Sequence, residues 1–213
     1  MTHIPVTASL AASDDIPDRK LLRKQLRQRR RALSAAEQRR AARQLSHHLL
    51  HYRPLYRARH VAVYLPNDGE IDPGLYVAAA RQRGVQFYLP VLHPFLHGRM
   101  VFCPYNDDTR LTPNRFGIPE PAFAERRFRP AWALHAVLLP LVGFDRFGER
   151  LGMGGGFYDR TFEFSRRLPG LSPKLIGLAH SHQQVDRLPA APWDIPLHGV
   201  MTELGSVVTG GVQ

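Results

Sequence analysis

From His60 the chain reads strand, helix, strand: "HVAVYLP", then "PGLYVAAARQRG", then "VQFYLP". The outer runs are apolar and rich in β-branched and aromatic residues, as strands buried on both faces must be. The middle run ends on Gly84, the residue type that most readily turns out of a helix. A βαβ unit leaves few folds open, because its two strands lie parallel in one sheet with the helix laid across a face. Later apolar runs, "MVFCPY", "AVLLPLV", "KLIGLAH" and "HGVMT", supply further strands, and "FYDRTFEFSRRL" reads as a helix after a glycine-rich loop. This alternation predicts an α/β fold with a mostly parallel central sheet covered by helices on both faces. Such sheets bind ligands at the carboxyl ends of their strands. A site is therefore expected in "PNDGEID" and in "GFDRFGERLGMGGGFYD", the polar loops that follow two of the strands. The turn-rich "YNDDTRLTPNRFGIPEPAFAERRFRP" reads as a long excursion from the sheet.

Ahead of the sheet, residues 1–17 are short of large apolar groups and read as a loose tail. Leu22, Leu26 and Leu33 share a helical face, and Ser34 and Glu37 stand at capping-box spacing, so one helix ends near Leu33 and a second begins there. The second puts Ala42, Leu45, Leu49 and Tyr52 on one stripe. With 213 residues, 44% of them hydrophobic, residues 18–213 suffice for a single α/β domain with one good core. No window reaches the roughly 18–20 apolar residues of a membrane span, and the N-terminal stretch lacks the pattern of a secretory signal, so a cytoplasmic protein is expected. Cys103, the only cysteine, reads as a buried packing thiol.

The formal net charge of +11 points to a polyanionic partner: nucleic acid, ATP or a polyglutamylated small molecule. The charge is densest in "RKLLRKQLRQRRR", Arg19 to Arg31. That block can be an RNA-binding helix, a solvated face or one wall of a phosphate site.

"RLGMGGGFYDR", Arg150 to Arg160, places four glycines in five positions. Main-chain N–H groups with no Cβ in the way can cradle an anion, and flanking arginines add charge-assisted contacts. The loop is neither a P-loop, since it lacks the Gly-Lys-Ser/Thr ending, nor a dinucleotide fingerprint, since no early strand is followed by G-x-G-x-x-G. It is a phosphate cradle or a tight turn that needs glycine for its geometry. Asp159 either holds magnesium on a bound nucleotide or is an acid favoured by a helix N-terminus. Asp194, stiffened between Pro192 and Pro196, would complete a metal site with Asp159 if the two meet. Glu70 points into the expected cleft or caps the next helix. The histidine pairs His47/His48 and His180/His182 read as surface polar groups.

The ordered motifs "LLRKQLRQRRRALS", "YLPNDGEIDP", "YLPVLHPFLHGRMVF", "FGIPEP", "LLPLVGFDRFGERLGMGGGFYDRTF" and "IGLAHSHQQVDRLPAAPWDIPLHGVMT" resemble the 5-formyltetrahydrofolate cyclo-ligases, also called 5,10-methenyltetrahydrofolate synthetases, in a bacterial form. The resemblance runs from about Arg19 to Thr202. It implies a three-layer α/β/α domain of the sugar-phosphate isomerase and CoA-transferase kind. It also implies an ATP- and Mg²⁺-dependent ring closure in which the formyl oxygen of 5-formyltetrahydrofolate is phosphorylated and then displaced by N10. Residue by residue, it implies ATP contacts at Arg19, Lys20, Arg23, Arg150, Leu151, Gly152, Met153, Gly154, Gly155, Gly156, Phe157 and Tyr158. Folate contacts fall on Leu65, Glu70 and Met153 to Phe157, magnesium on Asp159 and Asp194, and the catalytic roles on Arg150, Tyr158 and Asp159. Some members carry a lysine at the position of Gly155; without it, Arg150 or Lys20 is left to meet the transferring phosphate. The substrate, with or without a polyglutamate tail, suits the basic surface, and a monomer is expected. The rival expectation is a nucleic-acid-binding protein that uses the Arg19–Arg31 helix.

Overall fold

The computed structural model describes residues 18–114, 117–122, 127–188 and 191–207. The expected tail, residues 1–17, lies outside the described residues. Helix α1 (Arg19–Arg31) starts on an Asp18 side chain that accepts the Lys20 N–H, and its apolar stripe buries Leu22 and Leu26. Leu33 falls in the turn beyond it, half-buried. Helix α2 (Ala35–Leu50) opens on the capping box read from the sequence: Ser34 caps Glu37, and the Glu37 carboxylate accepts the Ser34 N–H at 2.8 Å. Ser34→Ala removes one half of that reciprocal pair on an exposed turn. It is expected to lower stability by about 1 kcal/mol and leave turnover unchanged, as urea unfolding and an activity assay on the same preparation would show.

The strand–helix–strand unit is β1 (His60–Ala62), α3 (Gly74–Arg81) and β2 (Gln86–Leu92), with β1 and β2 parallel and Val61 level with Phe87. Strand β3 (Met100–Tyr105) then turns back antiparallel to β2. The turn-rich excursion forms a small hairpin of β4 (Leu111–Pro113) and β5 (Pro119–Pro121). The chain returns to the centre as β6 (Ala136–Pro140), parallel to β1. Strands β7 (Gly143–Asp145) and β8 (Arg150–Leu151) form a hairpin, and α4 (Phe157–Phe162) follows. After it come β9 (Lys174–Leu178), β10 (Gln184–Val185), β11 (Gly199–Thr202) and β12 (Gly205–Val207).

The main sheet runs β12-β11-β9-β6-β1-β2-β3, five parallel strands with an antiparallel strand at each edge. Pleat alternation divides its side chains. Val61, Leu138, Ile176 and Met201 face α2 and α3, while Ala62, Val137, Leu139, Leu175 and Val200 face Phe162, Ile195 and Leu197. The second face is therefore covered by one short helix and irregular chain. The helix expected over "FYDRTFEFSRRL" stops at Phe162 and tightens into a 3₁₀ turn over Glu163–Arg166. A third cluster, Leu22, Leu26, Val142, Leu151 and Leu188, docks α1 on the small sheet β10-β7-β8.

The path from β1 leads outward through β2 and β3, returns to β6, and leads outward the other way through β9 and β11. The connections diverge between β1 and β6. That is the point at which an open α/β sheet forms a crevice past its strand ends.

Candidate active site

The glycine loop does not follow β6 directly, as its sequence position suggested, because the β7–β8 hairpin intervenes and aims it back across the end of β6. Buried Asp145 fixes that hairpin: Oδ1 accepts the N–H groups of Phe147 and Glu149, and Oδ2 accepts that of Leu188 at 2.9 Å. Gly154 (φ +94°) and Gly156 (φ +62°) hold left-handed backbone that side chains disfavour. A Cβ on Gly155 would stand 2.7 Å from the Phe157 ring, so the lysine that the family resemblance put in question at this position would require that ring to move. Among the described residues, the N–H groups of Met153, Gly154, Gly155 and Gly156 donate no hydrogen bond within the protein.

Around these open donors lies a cleft of about 310 Å³ lined by Arg19, Arg23, Pro140, Leu141, Arg150, Gly152 to Asp159, Trp193 and Asp194. A recess of about 570 Å³ adjoins it, sharing Gly154, Gly156, Asp159 and Trp193 and adding Arg160, Arg166 and Arg167. Together they fall within the range of small-molecule sites. Arg23 Nε donates to the Gly152 carbonyl at 2.8 Å and braces the start of the loop. Arg19 Nη2 donates to Asp194 Oδ2 at 3.2 Å, and its buried Nε has no partner among the described residues. Arg150, buried under the loop, donates to Asp159 and to the Ile195 carbonyl, and the Ile195 N–H donates to Asp159 Oδ1 at 3.1 Å. Desolvation lowers the Arg150 pKa, and the carboxylates of Asp159 and Asp194 oppose that shift. Burial raises the Tyr158 pKa, with Glu70 adding to the rise, so the side chain stays a phenol.

Asp159 and Asp194 do face one cleft. Their side-chain hydrogen bonds fall on Oδ1 of Asp159 and Oδ2 of Asp194, which leaves one oxygen on each open to a cation. Among the described residues no group of three or more His, Cys, Asp or Glu side chains is placed to hold a metal. A pair of carboxylates suits Mg²⁺, which keeps waters and takes its remaining ligands from phosphate.

A sequence model of the 5-formyltetrahydrofolate cyclo-ligase family matches residues 15–203. The chain belongs to this family. It is 41% identical over 177 residues to the 5-formyltetrahydrofolate cyclo-ligase of Escherichia coli (strain K12), covering 83% of this chain and 96% of the relative. The Haemophilus influenzae 5-formyltetrahydrofolate cyclo-ligase is 37% identical over 183 residues, 86% of this chain and 96% of the relative. Among solved structures, the 5,10-methenyltetrahydrofolate synthetase of Aquifex aeolicus superposes with a TM-score of 0.75 at 27% identity, covering 92% of this chain and 94% of that one.

The positions that the family resemblance singled out are not all in one place. Arg19, Arg23, Arg150, Gly152 to Asp159 and Asp194 share the cleft. Leu151 does not line it: its side chain packs with Leu22 and Leu26, and its carbonyl accepts the Val142 N–H. Lys20 stands on the outer face of α1, in a groove with Lys24, Arg27 and Arg31, and does not line the cleft. Leu65 packs half-buried against the α2–α3 side of the core. Glu70 lies beyond Tyr158, close enough for its charge to be felt there. Arg19, Arg23, Arg27, Arg30 and Arg31 bond within the protein, Lys20 and Lys24 keep the outer groove of α1 cationic, and membership of the cyclo-ligase family leaves the nucleic-acid reading without support.

Two features escaped the sequence reading. Trp193, 68% exposed, spans both recesses, and its only signal was its place beside Asp194. His180 is buried, not a surface group: it follows β9, caps the 3₁₀ turn at Ser181–Gln183, and burial pushes its pKa down to about 4. The Gln183 side chain reaches the carbonyls of Leu141 and Val142 at 2.7 and 2.9 Å and fixes the chain just past β6.

Proposed function

We propose that this protein closes the 5,10-methenyl ring on 5-formyltetrahydrofolate at the expense of ATP. The observation that carries the reading is the convergence of open loop amides, three arginines and two carboxylates on one crevice past β1 and β6. The formyl oxygen on N5 attacks the γ-phosphorus and ADP leaves. The N10 electron pair then closes on the formyl carbon, phosphate departs with the former formyl oxygen, and N10 loses its proton. The barrier lies in charge and alignment, not in finding a nucleophile, so oriented donors suffice.

The amides of Met153 to Gly156 and the guanidinium groups of Arg19 and Arg23 hold the phosphates. Arg150 fixes Asp159, while the half-buried Tyr158, kept a phenol, donates a hydrogen bond to the transferring phosphate. Leu65, Glu70 and the Phe157 ring take the pterin side. Asp159 and Asp194 would hold Mg²⁺, which would supply charge neutralisation for the nucleotide's phosphates. The folate's glutamate tail, of any length, would meet the basic outer face of α1, and we place the enzyme in the cytoplasm as a monomer.

The test is the near-ultraviolet absorbance of the methenyl product on mixing protein, 5-formyltetrahydrofolate, Mg²⁺ and ATP. A rise that requires ATP and stops on chelation is expected. Asp194→Asn is expected to need on the order of tenfold more Mg²⁺ for half-maximal rate, since it loses one of two anionic ligands. No ATP-dependent rise from folded protein would overturn the assignment.

A further inference from the structure

Arg30 occupies the apolar stripe of α1, four residues after Leu26 and eight after Leu22, where a leucine would pack without desolvating a charge. Its side chain is fully buried. Burying a guanidinium is costly unless its donors are satisfied, and here they are satisfied in a specific way. Nε donates to the Asp68 carbonyl at 2.8 Å, Nη2 to Asp68 Oδ2 at 2.7 Å and Nη1 to the Leu141 carbonyl at 3.2 Å. One planar group thus ties α1 to the loop after β1 and to the chain just past β6, the two edges of the crevice.

The loop is held against its own preference. Asp68 has φ +55°, the only positive φ outside glycine among the described residues. Backbone of this kind persists where the surroundings over-determine it. Arg27 and Arg31, also from α1, bind the same carboxylate, and its pKa is lowered to about 2, burial opposing the arginines. Two residues on, Glu70 Oε2 accepts the Asn67 N–H at 3.1 Å, while Oε1 lies 3.8 Å from Arg30 Nη1. Arg30 is thus near enough to favour the Glu70 carboxylate and too far to occupy it.

We propose that Arg30 and Asp68 are positioning residues for Glu70, presenting its carboxylate to the folate side of the site at a fixed offset from the nucleotide wall on the same helix. This rests on the cyclo-ligase reading. Arg19 and Arg30 are eleven residues apart, about 16 Å along α1. A rigid helix bonded to the glycine loop at one end and to the Asp68 turn at the other sets the spacing at which the two ligands meet.

The groups that bear on Glu70 are Arg30 and Arg27 from α1, Asp68 in its own loop, Tyr64 after β1 and Tyr158 in α4. Two variants shift this field in opposite directions. Asp68→Asn keeps a residue type that tolerates left-handed backbone and frees Arg30 from its counter-charge, so the Glu70 titration moves to lower pH. Arg30→Gln removes the cation and moves it to higher pH. The experiment follows the Glu70 carboxyl by ¹³C NMR in unliganded protein, with Glu70→Gln to assign the signal, and then measures KM for each substrate. We expect opposite shifts. We also expect a roughly tenfold higher KM for 5-formyltetrahydrofolate in Asp68→Asn, with KM for ATP within about twofold.

Shifts of the same sign, or equal changes in the two KM values, would overturn the proposal and leave the pair a structural brace. Should Arg30→Gln not fold, Asp68→Asn alone decides by the direction of its shift and its KM split. Failure of the cyclo-ligase reading would show separately, as wild-type protein that makes no methenyl product while the NMR titration still reports on the pair.

Discussion

Arg150→Met should reduce turnover by a factor on the order of 10³ while leaving most of the fold in place. Arg150 is the buried node under the glycine loop, bonding Asp159 on one side and the Ile195 carbonyl on the other. Methionine fills much of the same space but donates nothing. Breaking one side of a buried ion pair leaves the other charge uncompensated, at about 3–5 kcal/mol. Asp159 retains the Ile195 N–H, and its side chain is only four-fifths buried, so the lower end of that range applies. The expected catalytic loss comes from misplacing Asp159 and the cation it is proposed to hold, and from removing a positive charge from the proposed phosphate site. A single preorganised donor is commonly worth about 10²–10³ in rate. Arg150→Lys is expected to fall between, since one ammonium cannot span both partners as the planar fork does. The check is kcat at saturating ATP and folate, with circular dichroism to show that the fold persists. Wild-type turnover in Arg150→Met would remove this residue from the catalytic assignment.

How far the sequence reveals such roles depends on whether they leave a local pattern. The capping box at Ser34 and Glu37 and the parallel pair β1 and β2 are dictated by spacing, and both formed as read. The glycine loop declared itself by composition. The β7–β8 hairpin that aims the loop did not, although "DRFGE" carries a turn signal and Gly148 sits at φ +91°. Arg30 was hidden inside a basic run and looked like one more solvated cation. Its position in the Leu22–Leu26 stripe was the signal, and reading the helical period ahead of the charge would have found it. His180 shows the converse. A histidine after a buried strand still belongs to the interior when the next turn folds over it, and two polar neighbours in "HSH" masked that. Asp159 and Asp194 could be singled out separately, but only the cleft brings them together, because their meeting depends on contacts 35 residues apart in sequence.

The second large effect concerns stability against pH. Burial raises the Glu70 pKa from 4.5 to about 7, against the pull of Arg30. The folded protein therefore holds this proton more tightly than the unfolded chain does. Its contribution to stability is whole below about pH 4.5 and is lost as pH rises through about 7, where the native state must carry a desolvated carboxylate. A shift of that size corresponds to roughly 3 kcal/mol. Glu70→Gln keeps the shape and has no charge to desolvate. It should lie within about 1 kcal/mol of wild type at pH 5 and exceed it at pH 8 by about 3 kcal/mol, which for a chain of this length is roughly 6–12 °C in Tm. Urea titrations of both proteins from pH 5 to pH 8 test this, and His180 cancels in the comparison because both carry it. Parallel stability profiles would show that Glu70 ionises in the native protein as it does in water. The same substitution should raise KM for 5-formyltetrahydrofolate by on the order of tenfold or more, since a neutral amide replaces the carboxylate proposed to meet a donor-rich pterin edge. Higher stability together with weaker folate binding in this one variant would mark Glu70 as a side chain kept for its ligand at a cost in stability.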